Sequence, residues 1–246
     1  MNEYLERSQK LNDYLLAGRN SDDSGTEVSF FVSEINFSTS KFRSILHFAK
    51  NNGVEFTRVH CSNFVEKIHQ NVSYDKITIS NGLFEKFKHI SFDSKTFFIS
   101  YDKMEKLVAI SVWTDKMPIA ENPNYFNDLL KIIEYIASVF DFIIGFQWGK
   151  DGSLHDLNLN MDRLIDFFNN PIDNFLGTDY TNFYYFPIMF WGNEILTEKL
   201  EKKLTEAPAE QVIIAKNGIG LVFAIPGKLS LGKAKLLKNY FAGDAK

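Results

Sequence analysis

The chain of 246 residues is 45% hydrophobic and 24% charged, ordinary usage for a globular protein, which excludes a disordered, collagen-like or membrane-embedded chain. Its 27 lysines and arginines against 31 aspartates and glutamates leave a formal net charge of −4, so the basic footprint of a nucleic-acid binder is missing and a basic partner suits it better. One cysteine, Cys61, excludes an internal disulfide framework and fits a reducing compartment.

Residues 1–25 are expected to form a short helix, with Tyr4, Leu5, Leu11, Tyr14 and Leu15 on one stripe, and then a mobile loop rich in Gly, Asn, Asp and Ser. The charged positions Glu3, Glu6, Arg7, Lys10 and Asp13 are incompatible with a signal peptide, and no segment reaches the roughly 20 apolar residues of a membrane span. A cytoplasmic protein is therefore expected. From Glu27 to Phe37 partial alternation predicts a strand buried mainly on one face. Ser38 or Ser40 then opens a helix through Lys50, with Phe42, Ile45, Leu46 and Ala49 at helical spacing and Asn51, Asn52 and Gly53 ending it.

Further strands are expected at Lys76–Ser80, Thr96–Tyr101 and Leu107–Thr114. Asn122 before Pro123 is a cap and first-turn signal for a long helix burying Phe126, Leu129, Leu130, Ile133, Ile136, Ala137 and Phe140, followed by the apolar segment Phe142–Trp148. Beyond it come a short helix near 161–168, a strand near 183–191, and a helix near 194–205 with leucines every four residues. Two strands flanking Asn217 and Gly218 have the signature of a hairpin, and a last helix after Ser230 carries Leu231, Ala234, Leu237 and Phe241. This succession predicts an α+β fold of mainly antiparallel sheets with packed helices, arranged as two similar lobes, 26–152 and 153–246, in one compact unit.

Catalytic motifs are sparse. The five histidines have no spacing that places two on one helix face for a metal, no phosphate-binding glycine loop occurs, and no G-x-S-x-G elbow is present. No cofactor, metal or catalytic residue is assigned. His60 and Cys61 are adjacent, but neighbours on a strand point to opposite faces. His155 and Asp156, behind the glycine-flanked Asp151, form a loop where a carboxylate orients an imidazole, the basis for an alternative reading as a small hydrolase.

The aromatic load of 15% stands out. Tyr180 and Tyr184 lie among Asp173 and Asp179 after the Pro171 turn, and Trp148 precedes the acidic loop with Asp151, His155 and Asp156. Aromatic rings mixed with carboxylates supply desolvated anchors and complementarity to a basic protein, so these eight residues form the expected protein-binding surface.

The stretch LVAISVWT, then ENPNYFNDLL, KIIEYIASVF and FIIGFQWG, resembles the bacterial immunity protein 52 family, antidotes of polymorphic toxin systems that include those delivered by type VI secretion. FYYFPIMFWG and the closing GLVFAIPGKLSLGKAKLLKNYF are similar to the same family, so the resemblance spans roughly half the chain. It implies an α+β protein without catalytic activity that binds a cognate toxin effector domain, often a nuclease with a basic groove, and blocks its active site. No nucleic acid or membrane is an expected partner. An adaptor that binds proteins through exposed strand edges is the remaining alternative.

Overall fold

The computed structural model describes residues 26–63, 67–71, 81–95, 97–103, 107–114, 123–148, 188–223, 233, 236–237 and 239–240. Ten strands occur among them: β1 (Thr26–Ser33), β2 (Phe56–Ser62), β3 (Lys67–Asn71), β4 (His89–Ser94), β5 (Phe98–Lys103), β6 (Leu107–Thr114), β7 (Phe142–Trp148), β8 (Ile188–Gly192), β9 (Gln211–Ala215) and β10 (Gly218–Val222). The helices are α1 (Thr39–Asn51), α2 (Asn81–Lys86), α3 (Pro123–Val139) and α4 (Glu198–Thr205). All ten strands join one sheet in the order β3-β2-β4-β5-β6-β1-β7-β8-β10-β9, antiparallel at every pairing. The sheet runs through both expected lobes, because β7 pairs directly with β8.

The first face of the sheet holds the main core. Alternate residues of the strands, among them Val28, Phe30 and Val32 of β1 and Val108, Ile110 and Val112 of β6, share it with the apolar faces of α1 and α3. In α1 the buried positions are Phe42, Ile45, Leu46 and Ala49, as the helical spacing predicts. Ser38 is its N-cap in extended backbone, although the hydroxyl meets Ser40 Oγ at 2.7 Å rather than a backbone amide. Gly53, at φ +88°, turns the chain out of α1, a conformation glycine adopts without steric cost. Phe48 of α1 stacks on Tyr135 of α3 with ring centroids 4.1 Å apart, tying the two helices together.

A row of aromatic rings and glycines crosses the middle of this face. In register, Phe30 of β1 lies beside Gly145 of β7, Gly145 beside Phe190 of β8, and Phe190 beside Gly220 of β10. The Phe30 and Phe190 rings meet at 5.0 Å, one on each side of Gly145. A Cβ on Gly145 would lie 2.7 Å from the Phe30 ring, and one on Gly220 would lie 2.2 Å from the Phe190 ring. Glycine at both positions is therefore a packing requirement: the rings lie over the backbone that a side chain would otherwise cover.

Several expectations change. The strand from Glu27 is buried on both faces, not mainly one, since Ser29 and Phe31 on the second face are as inaccessible as Phe30 and Val32 on the first. Central strands of a covered sheet lose strict alternation for this reason. The hairpin turns at Lys216 and Asn217, because Ala215 pairs with Gly218, which is already the first residue of β10. Gly218 serves close approach, since a Cβ there would lie 2.2 Å from the Trp191 carbonyl oxygen. β3 and β4 stand where no strand is expected, and the expected strand at 76–80 and helix near 161–168 lie outside the described residues.

Gly220→Ala should cost about 1–3 kcal/mol by driving a methyl into a closed core. Urea unfolding checks this, with Gly53→Ala as a comparison in which strain comes from the backbone angle alone.

Candidate functional site

The second face of the sheet carries the polar chemistry. Three short sequences place a carboxylate and a hydroxyl two residues apart on strands, hence on one face: Glu27 and Ser29 on β1, Ser91 and Asp93 on β4, and Ser100 and Asp102 on β5. The intervening Val28, Phe92 and Tyr101 point into the core. Register aligns the hydroxyls, so that Ser29, Ser111, Ser100, Ser91 and His60 form one row over five strands. Ser29 and Ser111 Oγ atoms meet at 2.6 Å, and Ser29 donates to Glu27 Oε1 at 3.2 Å.

Two His–Asp–Ser clusters are built around this row. His60 Nε2 is 2.5 Å from Asp93 Oδ2, and Ser91 donates to the other oxygen of Asp93, also at 2.5 Å. His89 Nδ1 is 2.6 Å from Asp102 Oδ1, and Ser100 donates to Asp102 Oδ2 at 3.3 Å. In both, the carboxylate stands between the imidazole and the hydroxyl. A serine nucleophile needs the imidazole next to the hydroxyl to take its proton, so this order fixes side chains without activating either serine. Among the described residues no group of three or more His, Cys, Asp and Glu is arranged to hold a metal ion.

The neighbouring row, at one end of the sheet, mixes aromatic and charged residues. Trp148, Glu27, Trp113, Phe98, Asp93 and Arg58 follow one another in register across β7, β1, β6, β5, β4 and β2. Trp113 and Phe98 are half-buried, with ring centroids 4.9 Å apart and the rings tilted by 33°. Arg58 is exposed, whereas Asp93, its neighbour in register, is buried.

Burial pushes the Glu27 carboxyl above its ordinary range, and the nearby Asp102 adds to this against the hydroxyls of Ser111 and Ser29 and the His89 charge. For His89, burial favours the neutral ring, but the bond to Asp102 and the charges of Asp102, Asp93 and Glu27 outweigh it, holding the imidazole above its ordinary 6.5. Cys61 points the other way from His60, into the core, and burial pushes its thiol up, so the two do not form a thiol–imidazole pair.

Of the residues expected at the protein-binding surface, Trp148 ends β7 opposite Glu27. Asp151, His155, Asp156, Asp173, Asp179, Tyr180 and Tyr184 lie outside the described residues. Glu27, Asp93, Phe98, Asp102 and Trp113 were not anticipated there. Their signal is the carboxylate–apolar–hydroxyl spacing on strands, which is visible in the sequence but points to a shared surface only once β1, β4 and β5 are brought together.

No family model matches the chain, and no curated protein matches it. Among solved structures it is similar to a Pseudomonas aeruginosa T6SS protein, with a TM-score of 0.47 and 10% sequence identity over 93% of this chain and 76% of that one. Among the described residues no helix is long and apolar enough to cross a membrane.

The raised His89 value has a definite sign. The folded state holds the proton more tightly than the unfolded chain, so this stabilisation is complete below 6.5 and disappears as pH rises through the folded value. Glu27 acts in the same direction from 4.5 upward. The melting temperature should therefore fall between about pH 6 and pH 8, and Asp102→Asn should flatten that slope; an equal slope in the variant would contradict the assignment.

Proposed function

We propose that the protein is an immunity protein of the immunity protein 52 type, which binds a cognate toxin effector domain and occludes its active site. The observation that carries this reading is the aromatic and acidic row Trp148, Glu27, Trp113, Phe98 and Asp93, in which Glu27, Trp113 and Phe98 are partly exposed and Asp93 is buried. Two of these residues, Trp113 near the end of β6 and Trp148 at the end of β7, lie within the segment 107–148 whose strand, proline-led helix and strand resemble the family, and Glu27 of β1 lies between them in register. Supporting it further, β6, α3 and β7 follow one another in the order that the resemblance implies.

The physical mechanism is occlusion. Rings that already pack on one another and are half-buried lose little freedom when a partner covers them, so Trp113 and Phe98 suit the centre of an interface. Carboxylates beside them, in a chain of net charge −4, steer a basic surface such as the groove of a nuclease and stand in for its phosphates. The acidic and aromatic residues expected at 151–184 extend the same chemistry. No turnover is involved, and the protein acts in the cytoplasm before the toxin reaches its target.

Co-expression with the toxin domain encoded beside its gene should restore growth, and the two proteins should co-purify; neither rescue nor complex would overturn the reading. Trp113→Ala and Phe98→Ala should each raise the dissociation constant about thirtyfold, the effect of losing an interface anchor worth about 2 kcal/mol. Lys131→Ala, an exposed change on α3, should leave it unaltered. Alanine at Tyr184 or Asp179 should likewise weaken binding at constant melting temperature.

A further inference from the structure

The two edges of the sheet differ in character. β3, with sequence KIHQN, carries a lysine within the strand, the kind of charge that keeps edges from pairing. β9, with sequence QVIIA, closes the other end among the described residues and has no charge and no proline within it. Its Ile213 is buried in the core, yet Ile214 on the opposite side is 73% exposed, beside the buried Ile219. A neutral β-branched edge strand with an exposed isoleucine is a template for another strand.

The hairpin decides which backbone groups face outward. With a two-residue connection at Lys216 and Asn217, the closing pair Ala215 and Gly218 is the hydrogen-bonded one. Antiparallel alternation then turns the N–H and C=O groups of Val212 and Ile214 away from β10, toward the outer edge.

We infer that the chain forms a two-fold symmetric dimer in which β9 pairs antiparallel with β9 of a second copy, centred on Ile213. In that register Val212 lies opposite Ile214 of the second copy, so the outward backbone groups of both residues are satisfied and each exposed isoleucine is covered. Gln211 lies opposite Ala215, and Glu210 lies opposite Lys216. Charge complementarity at the two ends of the strand selects this register: each Glu210 meets a Lys216, and the symmetry makes the contact twice. Lys216 is exposed, and Glu210, which pairs with Lys233 within its own chain, is half-exposed. The product is a single sheet running through both copies, with the aromatic and acidic row at β2, β4–β6, β1 and β7 left clear of the junction.

Light scattering on the full chain at rising concentration should give a mass approaching twice 28.4 kDa. Lys216→Glu places like charges opposite one another twice and should weaken dimerisation about tenfold, while the double variant Glu210→Lys with Lys216→Glu restores it. Ile214→Asp, at an exposed position, should yield a monomer with an unchanged circular dichroism spectrum. A monomer at every concentration, or a dimer indifferent to Lys216→Glu and Ile214→Asp, overturns the inference. Should Ile214→Asp misfold, the charge reversal and its rescue decide the matter.

Discussion

The interlocked row Phe30, Gly145, Phe190 and Gly220 is the constraint on which the rest depends. It spans the junction between the strands that precede residue 149 and those that follow residue 187, and it lets two phenylalanine rings occupy the space that a side chain on the neighbouring strand would take. Without glycine at 145 and 220 the rings would have to leave the plane of the core, and the β7–β8 pairing would separate. Because that pairing holds, α1 and α3 have one continuous apolar surface to cover rather than two small ones, and the sheet extends to ten strands.

Burial of both faces follows from this extension. The first face is filled by aliphatic and aromatic side chains, whereas the second face carries apolar residues near β7, β8 and β10 and a polar row over β1, β6, β5, β4 and β2. Hydroxyls and carboxylates in such a place must be hydrogen-bonded, and the spacing of Ser91 to Asp93 and Ser100 to Asp102 satisfies them locally while the histidines of neighbouring strands complete the clusters. The clusters therefore hold the ends of the strands in register. That rigidity suits a preformed binding surface, where the rings of Trp113 and Phe98 are presented by strands rather than by a loop.

A surface of this kind has a division of labour. Rings exclude water and fix the position of a partner, and acidic groups set the charge that the partner must carry. The same sheet has a separate, neutral edge at β9, whose chemistry is backbone pairing rather than charge recognition. On the proposed reading, one end of the molecule addresses a protein of opposite charge, and on the inferred pairing the other addresses a copy of itself.

The amino-acid sequence by itself determined the local elements whose signals are contiguous. α1, α3, β6 and β7 stand where spacing and capping residues place them, because amphipathic periodicity and an Asn-Pro start act within a few residues. The opposite directions of His60 and Cys61 were equally legible, since a strand alternates its side chains. Tertiary structure decided the rest. The burial of β1 on both faces depends on what covers the second face, the glycines at 145, 218 and 220 answer to rings and carbonyls on other strands, and the turn at Lys216 and Asn217 follows from the β10 register. Likewise, the row of Glu27, Trp113, Phe98 and Asp93 joins residues up to 86 positions apart. Strand order brings them together, and the order of a sheet is set by long-range packing rather than by any local pattern.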